Sequence, residues 1–480
     1  MDSIEIPRIL IAALRGGAGK TVLSIGIIAA LQNIGKNVVP FKKGPDYIDA
    51  GWLAMAAGRP CHNLDTFMVD EQVVCQSFFS HTAARNSEIA VIEGNRGFYD
   101  GLDVDGTTST ASLSKLLNTP VVLCLDCTKS TRTMAAVVLG LLHFDPEVKI
   151  EGIILNRVAG PRHENILRNS IETYCGIQVI GAVPKLKSQD FPERHMGLLP
   201  TPEHTWARNS IKAAADVVKD HVDLSAILRI AAAAENKPVT CGLNEPASSE
   251  VLDDRSDSVI ASLASHQRQP KIGIIRDSAF QFYYPENLDA LTSAGAELVF
   301  MSALQGSALP DIDALYIGGG FPETHAEQLA DNFKFKKAIK VAADKGLAIY
   351  AECGGLMYLG ESLVLDKPYP MAGVLPLVFG FSKKPQGHGY TIATVDRKNL
   401  FYEIGTVLKG HEFHYSRVLE CQGGADSMAF AMTKGRGIIN QRDGICYKNV
   451  LATYIHIHAM GTPQWAGAMI RTARQTMMAS

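Results

Sequence analysis

Two stretches of this sequence combine residue types and spacings that can do chemistry. The first is Arg15-Gly16-Gly17-Ala18-Gly19-Lys20-Thr21, which follows the apolar run Ile9–Leu14 and leads into a helix-like stretch from Val22. In a strand, loop, helix setting, Gly16, Gly17 and Gly19 let backbone N–H groups converge on phosphate oxygens. Lys20 adds a mobile positive charge, and Thr21 can hold Mg2+ where the helix begins. The usual phosphate-loop pattern has its first glycine at position 14, where this chain has Leu14, so the loop is a deviant one. Carboxylates follow the next strands, Asp46 in Gly44-Pro45-Asp46-Tyr47-Ile48-Asp49, Glu93 at the tip of Ile89–Glu93, and Asp100 in Phe98-Tyr99-Asp100-Gly101. Strand tips are where open α/β sheets bind ligands. Asp46, Tyr47, Glu93 and Asp100 are therefore expected around a metal or a carboxylate substrate, with Thr21, Asp46 and Glu93 as the metal set.

The second stretch is Leu347-Ala348-Ile349-Tyr350-Ala351-Glu352-Cys353-Gly354-Gly355, an apolar strand, a tight turn holding Cys353, and a helix start. Such an elbow exposes a thiol at a helix N-terminus, where the dipole is expected to lower its pKa and backbone N–H groups can form an oxyanion hole. The base is expected from Thr453-Tyr454-Ile455-His456-Ile457-His458; His456 is the choice, and His458 reads as a surface residue or a supporting group. Gly319, Gly320 and Gly354 are expected at the oxyanion hole or the amide-substrate pocket. Gly410-His411-Glu412-Phe413-His414-Tyr415 reads as a surface turn or a site, with Glu412 a candidate for orienting the base. Cys124 and Cys127 end an apolar run, which fits a buried strand end better than redox or metal chemistry.

The elements that must position these residues fall into two series. A length of 480 residues calls for two or three domains. Up to position 235, β-branched runs alternate with helix-length segments: Ile9–Leu14, Asn37–Phe41, Ile89–Glu93, Val121–Asp126, Gly152–Asn156 and Gln178–Val183, with Val22–Gly35 and Thr133–Phe144 among the helices. That pattern predicts a doubly wound parallel α/β domain over 1–235. Residues 236–270 turn Ala-rich and then polar, as a linker would. A second α/β series over 271–480 uses Ile272–Ile275, Leu298–Met301, Ala314–Ile317, Leu347–Ala351 and Leu451–Ile455. Apolar residues at 46%, charged residues at 20% and a net charge of -3 exclude disorder and give no basic excess for nucleic acid. Nine irregularly spaced Cys, no basic stretch in Met1–Glu5 and no apolar run of membrane length lead to the expectation of a soluble cytoplasmic protein.

Taken together, the Gly-Lys-Thr loop, Gly44–Asp49, Glu93-Gly94, Tyr99-Asp100-Gly101, Arg194–Leu198, Gly318–Glu323, Glu352–Gly355, Gly410–Tyr415 and Tyr454-Ile455-His456 resemble the cobyrinate a,c-diamide synthase family along nearly the whole chain. The resemblance implies a dethiobiotin-synthetase-like ATP domain followed by a class I glutamine amidotransferase domain of the cobyric acid synthase type. It implies ATP- and glutamine-dependent amidation of the a and c acetate carboxylates of a corrinoid through acyl phosphates, with Mg2+. In this picture Cys353 attacks glutamine, His456 is its base, and the partners are a tetrapyrrole polycarboxylate, L-glutamine and ATP, with no nucleic acid, no membrane and the oligomeric state open. Nickel-sirohydrochlorin (coenzyme F430 formation) and hydrogenobyrinic acid are alternative substrates within the same resemblance. The chain departs from the family pattern at Asn95-Arg96, where Val-Met is usual, and at Lys43, where Val is common. It also lacks the His-x-Glu of many class I amidotransferases, so the resemblance implies a Cys–His dyad. A partitioning-type ATPase switch, which shares a deviant glycine loop, requires lysine at position 15; this chain has Arg15 there, and such a switch would have no use for Cys353 and His456.

Overall fold

Strands with both faces buried are built from near-continuous runs of Ile, Val, Leu and Ala, and seven of them form the parallel sheet that supports the glycine loop. The computed structural model describes residues 6–83, 88–185, 193–194, 197–198, 207–234, 268–306 and 308–479. Met1–Glu5, the expected linker 236–270 except its last three residues, and His195-Met196 lie outside the described residues. The chain divides into two units, Met1–Asn244 and Glu245–Ser480.

In the first unit the elements run β1 (Arg8–Ala13), α1 (Lys20–Asn33), β2 (Val38–Lys43), α2 (Ile48–Ala57), β3 (His62–Leu64), α3 (Glu71–Ala83), β4 (Ile89–Glu93), α4 (Thr110–Leu116), β5 (Val121–Asp126), α5 (Thr133–Phe144), β6 (Ile150–Val158), α6 (Pro161–Cys175) and β7 (Val179–Pro184). Two short strands, β8 (Glu193–Arg194) and β9 (Gly197–Leu198), pair with each other, and helices α7 (Ala207–His221) and α8 (Leu224–Ala232) follow. The sheet order is β3-β2-β4-β1-β5-β6-β7. β1 therefore sits between β4 and β5, and the loop after it, Glu93 at the end of β4 and Lys42-Lys43 at the end of β2 all open at the same carboxyl edge. β3 has three residues, too short for periodicity to reveal.

In the second unit the strands are β10 (Lys271–Ile275), β11 (Phe280–Phe282), β12 (Glu297–Met301), β13 (Ala314–Ile317), β14 (Gly319–Gly320), β15 (Ala348–Glu352), β16 (Ser362–Val364), β17 (Pro368–Pro370), β18 (Leu377–Phe381), β19 (Gly387–Val395), β20 (Val407–His414), β21 (Ser416–Cys421), β22 (Met428–Lys434), β23 (Arg442–Tyr447), β24 (Val450–Thr453) and β25 (His456–Ile457). The main sheet runs β12-β10-β13-β15-β24-β23-β22-β19-β20-β25. Its first half is parallel, and from β23 onward the pairing is antiparallel. β24 and β25 are joined by only Tyr454-Ile455 yet stand five places apart in the sheet. Three residues reach about 10 Å, whereas five strand spacings in a flat sheet are roughly 24 Å. The antiparallel half must therefore curl round until β25 returns beside the end of β24, which carries His456 back toward the elbow after β15. Among the described residues no helix is long and apolar enough to cross a membrane.

Candidate active sites

Burial decides how the charges at the carboxyl edge of the first sheet are arranged. Gly16 and Gly17 are exposed at the crest of the loop, while Gly19, at φ 86°, caps α1. A Cβ on Gly19 would lie 2.3 Å from Nδ2 of Asn156, whose amide donates to the Ala18 carbonyl at 2.7 Å, so this glycine is required both by its backbone and by its neighbour. Behind the loop, Lys20 Nζ lies 3.3 Å from Glu93 Oε1, and the Thr21 hydroxyl donates to Glu93 Oε1 at 3.0 Å and to Asp49 Oδ2 at 3.3 Å. Lys42, fully buried, donates to Asp49 Oδ2 at 2.9 Å, Glu93 Oε1 at 2.7 Å and the Gly94 carbonyl at 3.2 Å. Desolvation alone would discharge Lys42, but the charges of Asp49, Glu93 and Asp46 outweigh it and hold its pKa above the ordinary lysine value. For Asp49 burial again opposes the charge, and Lys42 and Lys20 outweigh it, leaving that carboxyl below the usual range.

The expected metal set is thus only partly assembled. Thr21 and Glu93 meet, and the second carboxylate at the hydroxyl is Asp49. Asp46 accepts the Asp49 backbone N–H at 2.8 Å in the first turn of α2; burial, followed by the nearby Asp49 charge, pushes its pKa up to about 6. Tyr47 is half-buried at the start of the same helix. Asp100 is exposed and accepts the Gly97 N–H at 3.1 Å, which closes a turn against the carbonyl of Leu14. No cluster of three or more His, Cys, Asp or Glu arranged to hold a metal exists among the described residues. Glu93 Oε2 is buried with no hydrogen-bond partner among the described residues, and with Thr21 Oγ1 and Asp49 it forms the hard oxygen set that Mg2+ prefers. Asp49 was within reach of sequence reading, since it belongs to the Gly44–Asp49 motif, whereas Lys42, just past the apolar run that ends at Phe41, carries no signal of its burial.

Lys43, one residue on, points away from this cluster along the alternation of the strand. It is 6% exposed, and no hydrogen bond reaches its Nζ among the described residues. Burial, opposed by Asp65 and reinforced by the charges of Lys42 and Arg96, lowers its pKa. Arg96 is exposed at φ 47°, and the neighbouring Asn95 amide packs against Gly44. Cys124 and Cys127 are buried at the β5 end, as the apolar run suggests, with burial pushing both thiols to about 12.

In the second unit, Cys353 has φ 47° and ψ -95° and is the cap of the short helix Gly354–Leu359. A non-glycine residue at positive φ is strained, and here the β15 strand before it and the helix after it hold it there. Cys353 N–H donates to the Thr453 carbonyl at 2.8 Å, and Gly355 N–H donates to the Gly318 carbonyl at 3.1 Å. Gly354 lies over the glycine strand: a Cβ on it would be 2.9 Å from the Gly320 nitrogen. From the other side, a Cβ on Gly319 would be 2.4 Å from His456 Cε1. The glycines of β14 are therefore sandwiched between the elbow and the imidazole, and no larger side chain fits. The thiol corrects the expectation from the helix dipole. Burial pushes the Cys353 pKa up, and Glu323 and Glu352 add to the rise, against a weaker lowering by the Gly354 N–H. Burial therefore disfavours the thiolate at Cys353, the opposite of the expected dipole effect.

His456 is 2% exposed, with Nδ1 3.6 Å from Glu352 Oε2. It stacks on His411 at 4.8 Å, and burial, followed by the His456 and His388 charges, keeps the His411 pKa well below the usual value. Three expectations change. Glu412 accepts the N–H groups of Arg436 at 2.6 Å and Gly437 at 3.1 Å and lies 3.8 Å from His414, so it is occupied with a turn and not with the base. The Gly410–Tyr415 stretch is no surface turn: up to His414 it belongs to β20, with His411 paired opposite His456. His458 is fully buried 3.7 Å from Glu286.

Comparison with known proteins places these two sites in one family. Residues 9–199 match the CobQ/CobB/MinD/ParA nucleotide binding domain, and residues 271–464 match the CobB/CobQ-like glutamine amidotransferase domain. The chain is 41% identical over 472 residues to the cobyrinate a,c-diamide synthase of Magnetococcus marinus, covering 98% of each chain. It is 40% identical to that of Archaeoglobus fulgidus, again over 98% of each chain. The protein of the same name from Methanosarcina acetivorans is 37% identical, over 98% of this chain and 96% of its own. A nucleotide-binding unit and a glutamine amidotransferase unit joined in one chain, at this identity and over this length, make the chain a member of the cobyrinate a,c-diamide synthase family of glutamine-hydrolysing ligases.

Proposed function

We propose that the chain amidates the a and c acetate carboxylates of cobyrinic acid with ATP and glutamine. The observation that carries the reading is the pairing of a buried Lys–carboxylate–Thr cluster beneath a glycine loop in one unit with, in the other, a strained cysteine and a histidine packed on the same two-glycine strand. A carboxylate is a poor electrophile, so phosphorylation must precede attack by a nucleophile as weak as ammonia. Backbone amides of the loop and Lys20 would hold the ATP phosphates. Thr21, Glu93 and Asp49 would hold Mg2+, whose charge would stabilise the phosphates in transfer. A substrate carboxylate oxygen attacks the γ-phosphorus and ADP leaves; ammonia then attacks the acyl carbon, phosphate leaves, and a proton is released. Arg96 adds exposed positive charge at the same strand ends, suited to a substrate with several carboxylates, and the buried Lys43 lies within reach of its field.

In the amidotransferase unit His456 takes the proton of the Cys353 thiol as sulfur attacks the glutamine side-chain carbonyl. The tetrahedral oxyanion forms beside the Gly354 and Gly320 amides. Its collapse breaks the C–N bond, His456 returns the proton to the departing nitrogen, and ammonia leaves a γ-glutamyl thioester that water hydrolyses to glutamate. The reading is tested by supplying ATP, Mg2+ and glutamine with cobyrinic acid, hydrogenobyrinic acid or nickel-sirohydrochlorin and following each tetrapyrrole by mass spectrometry. Efficient diamide formation from cobyrinic acid is the expected result. Preference for either of the other two rings reassigns the substrate, and amidation of none overturns the reading.

A further inference from the structure

A neutral thiol and a histidine base leave one requirement unmet: when the imidazole takes the proton it becomes a buried cation, and something must hold the ring and share that charge. The residue two positions after the base is His458, which is committed to Glu286 at 3.7 Å. The expected alternative, Glu412, is committed to the Arg436 and Gly437 amides. The carboxylate that does face the ring comes from the residue immediately before the nucleophile. Glu352 is fully buried, and its Oε2 lies 3.6 Å from His456 Nδ1. Its orientation is fixed by two donors, the Tyr316 hydroxyl at 3.1 Å to Oε2 and the Ile457 N–H at 3.2 Å to Oε1. Asn287 ties the same segment down, donating to Tyr316 Oη at 3.4 Å and to the Ile457 carbonyl at 3.0 Å, while its own carbonyl accepts the Ala459 N–H at 2.7 Å.

Resting on the glutaminase reading above, we propose that Glu352 is the positioning residue for His456, completing a Cys353–His456–Glu352 triad in which base and orienting carboxylate come from opposite sides of the nucleophile's own strand pairing. β15 and β24 are hydrogen-bonded neighbours, with Glu352 opposite Thr453. A carboxylate at the last position of β15 therefore reaches an imidazole three residues beyond Thr453 in chain order. The 3.6 Å separation is that of a resting pair; it shortens to a charge-assisted hydrogen bond when Nδ1–H belongs to an imidazolium. Glu352 never contacts glutamine. Its role is to hold the ring in the tautomer that carries its proton on Nδ1, leaving Nε2 free to act as the base, and to stabilise the transient cation.

The test uses the full-length enzyme and the variants Glu352→Gln, Glu352→Asp and Tyr316→Phe. Glutaminase kcat and KM for glutamine are measured alongside amidation driven by ammonium chloride. Glu352→Gln is expected to lose roughly 10²–10⁴ in kcat, with KM for glutamine within about threefold and ammonia-driven amidation intact. Glu352→Asp, which restores the charge, recovers at least about tenfold of that loss. Tyr316→Phe removes one of the two donors to the carboxylate and lowers kcat several-fold, again without moving KM. A Glu352→Gln enzyme within about threefold of wild-type kcat overturns the proposal. If that variant fails to fold, Tyr316→Phe decides, and a Tyr316→Phe kcat equal to wild type overturns it. Wild-type enzyme that hydrolyses no glutamine overturns the glutaminase reading and this inference with it, whereas active wild type with unaffected variants overturns this inference alone.

Discussion

Replacing Lys42 with Met removes the ammonium on which the nucleotide end of the first unit is built. The side chain is fully buried and makes hydrogen-bonded ion pairs of 2.7 Å to Glu93 and 2.9 Å to Asp49. At an effective dielectric of about 20, each contact carries on the order of 6 kcal/mol of Coulomb energy, most of it offset by desolvation of the partners. Methionine leaves that desolvation cost in place for Glu93, which keeps Lys20 at 3.3 Å as its remaining counter-charge and the Thr21 hydroxyl at 3.0 Å. Breaking one side of a buried pair costs about 3–5 kcal/mol, and that is the expected loss in urea unfolding of the full-length chain at pH 7. The pH dependence has a definite sign. Asp49 has its folded pKa depressed, so its contribution is present above the ordinary carboxylate range and is lost as pH falls through the folded value. The gap between wild type and variant must therefore narrow in acid. Adding Glu93→Gln to Lys42→Met removes the stranded charge, and the double variant should be more stable than Lys42→Met alone. A loss under about 1 kcal/mol, or a gap that widens in acid, would refute the claim that Lys42 is the buried counter-charge.

Gly319→Ala places a methyl where His456 Cε1 stands 2.4 Å away, so the imidazole must shift; the expected result is at least a roughly 10²-fold fall in glutaminase kcat with ammonia-driven amidation unchanged, measured by glutamate release. Asp443 in the second unit has its pKa pushed up to about 7 by burial, against the hydrogen bonds from Gly444 and Tyr454. Because that value lies above the unfolded one, its stability is full in acid and is lost as pH rises toward 7, at about 1.4 kcal/mol per pH unit. Thermal melts of Asp443→Asn between about pH 4 and 7 should therefore decline less with pH than wild type, and parallel curves would contradict this. Lys43→Met combined with Arg96→Ala is expected to raise KM for the tetrapyrrole at least about tenfold and leave KM for ATP unchanged, as steady-state kinetics would show.

What the sequence disclosed depended on how burial wrote itself into residue order. β4, β5 and α5 have the expected ends because apolar runs stop sharply at Glu93, Asp126 and Phe144. The loop at Lys20-Thr21 and the elbow at Cys353 were legible because glycine and a reactive residue at a strand-to-helix junction have few other uses. The antiparallel half of the second sheet was not foreseen: β19 alternates buried and partly exposed positions, a weaker signal than a continuous apolar run. Glu352 escaped attention for a related reason. It closes a buried strand beside the nucleophile, and only the curl that returns β25 to β24 reveals that it faces His456. Of the two readings of His458, the surface one fails, because a histidine near a strand end looks exposed until its carboxylate partner, Glu286, comes from a distant helix.

In the proposed reaction, glutamine nitrogen freed at Cys353 becomes the amide nitrogen of a carboxylate activated in the other unit of the same chain. The most direct test is to give the enzyme ATP, Mg2+, cobyrinic acid and glutamine labelled with ¹⁵N at the side-chain amide, in parallel with Cys353→Ala given labelled ammonium. The expected result is doubly labelled diamide from wild type, none from Cys353→Ala with glutamine, and doubly labelled diamide again from Cys353→Ala with ammonium. Labelled diamide from Cys353→Ala supplied only with glutamine, or unlabelled diamide from wild type, would contradict it.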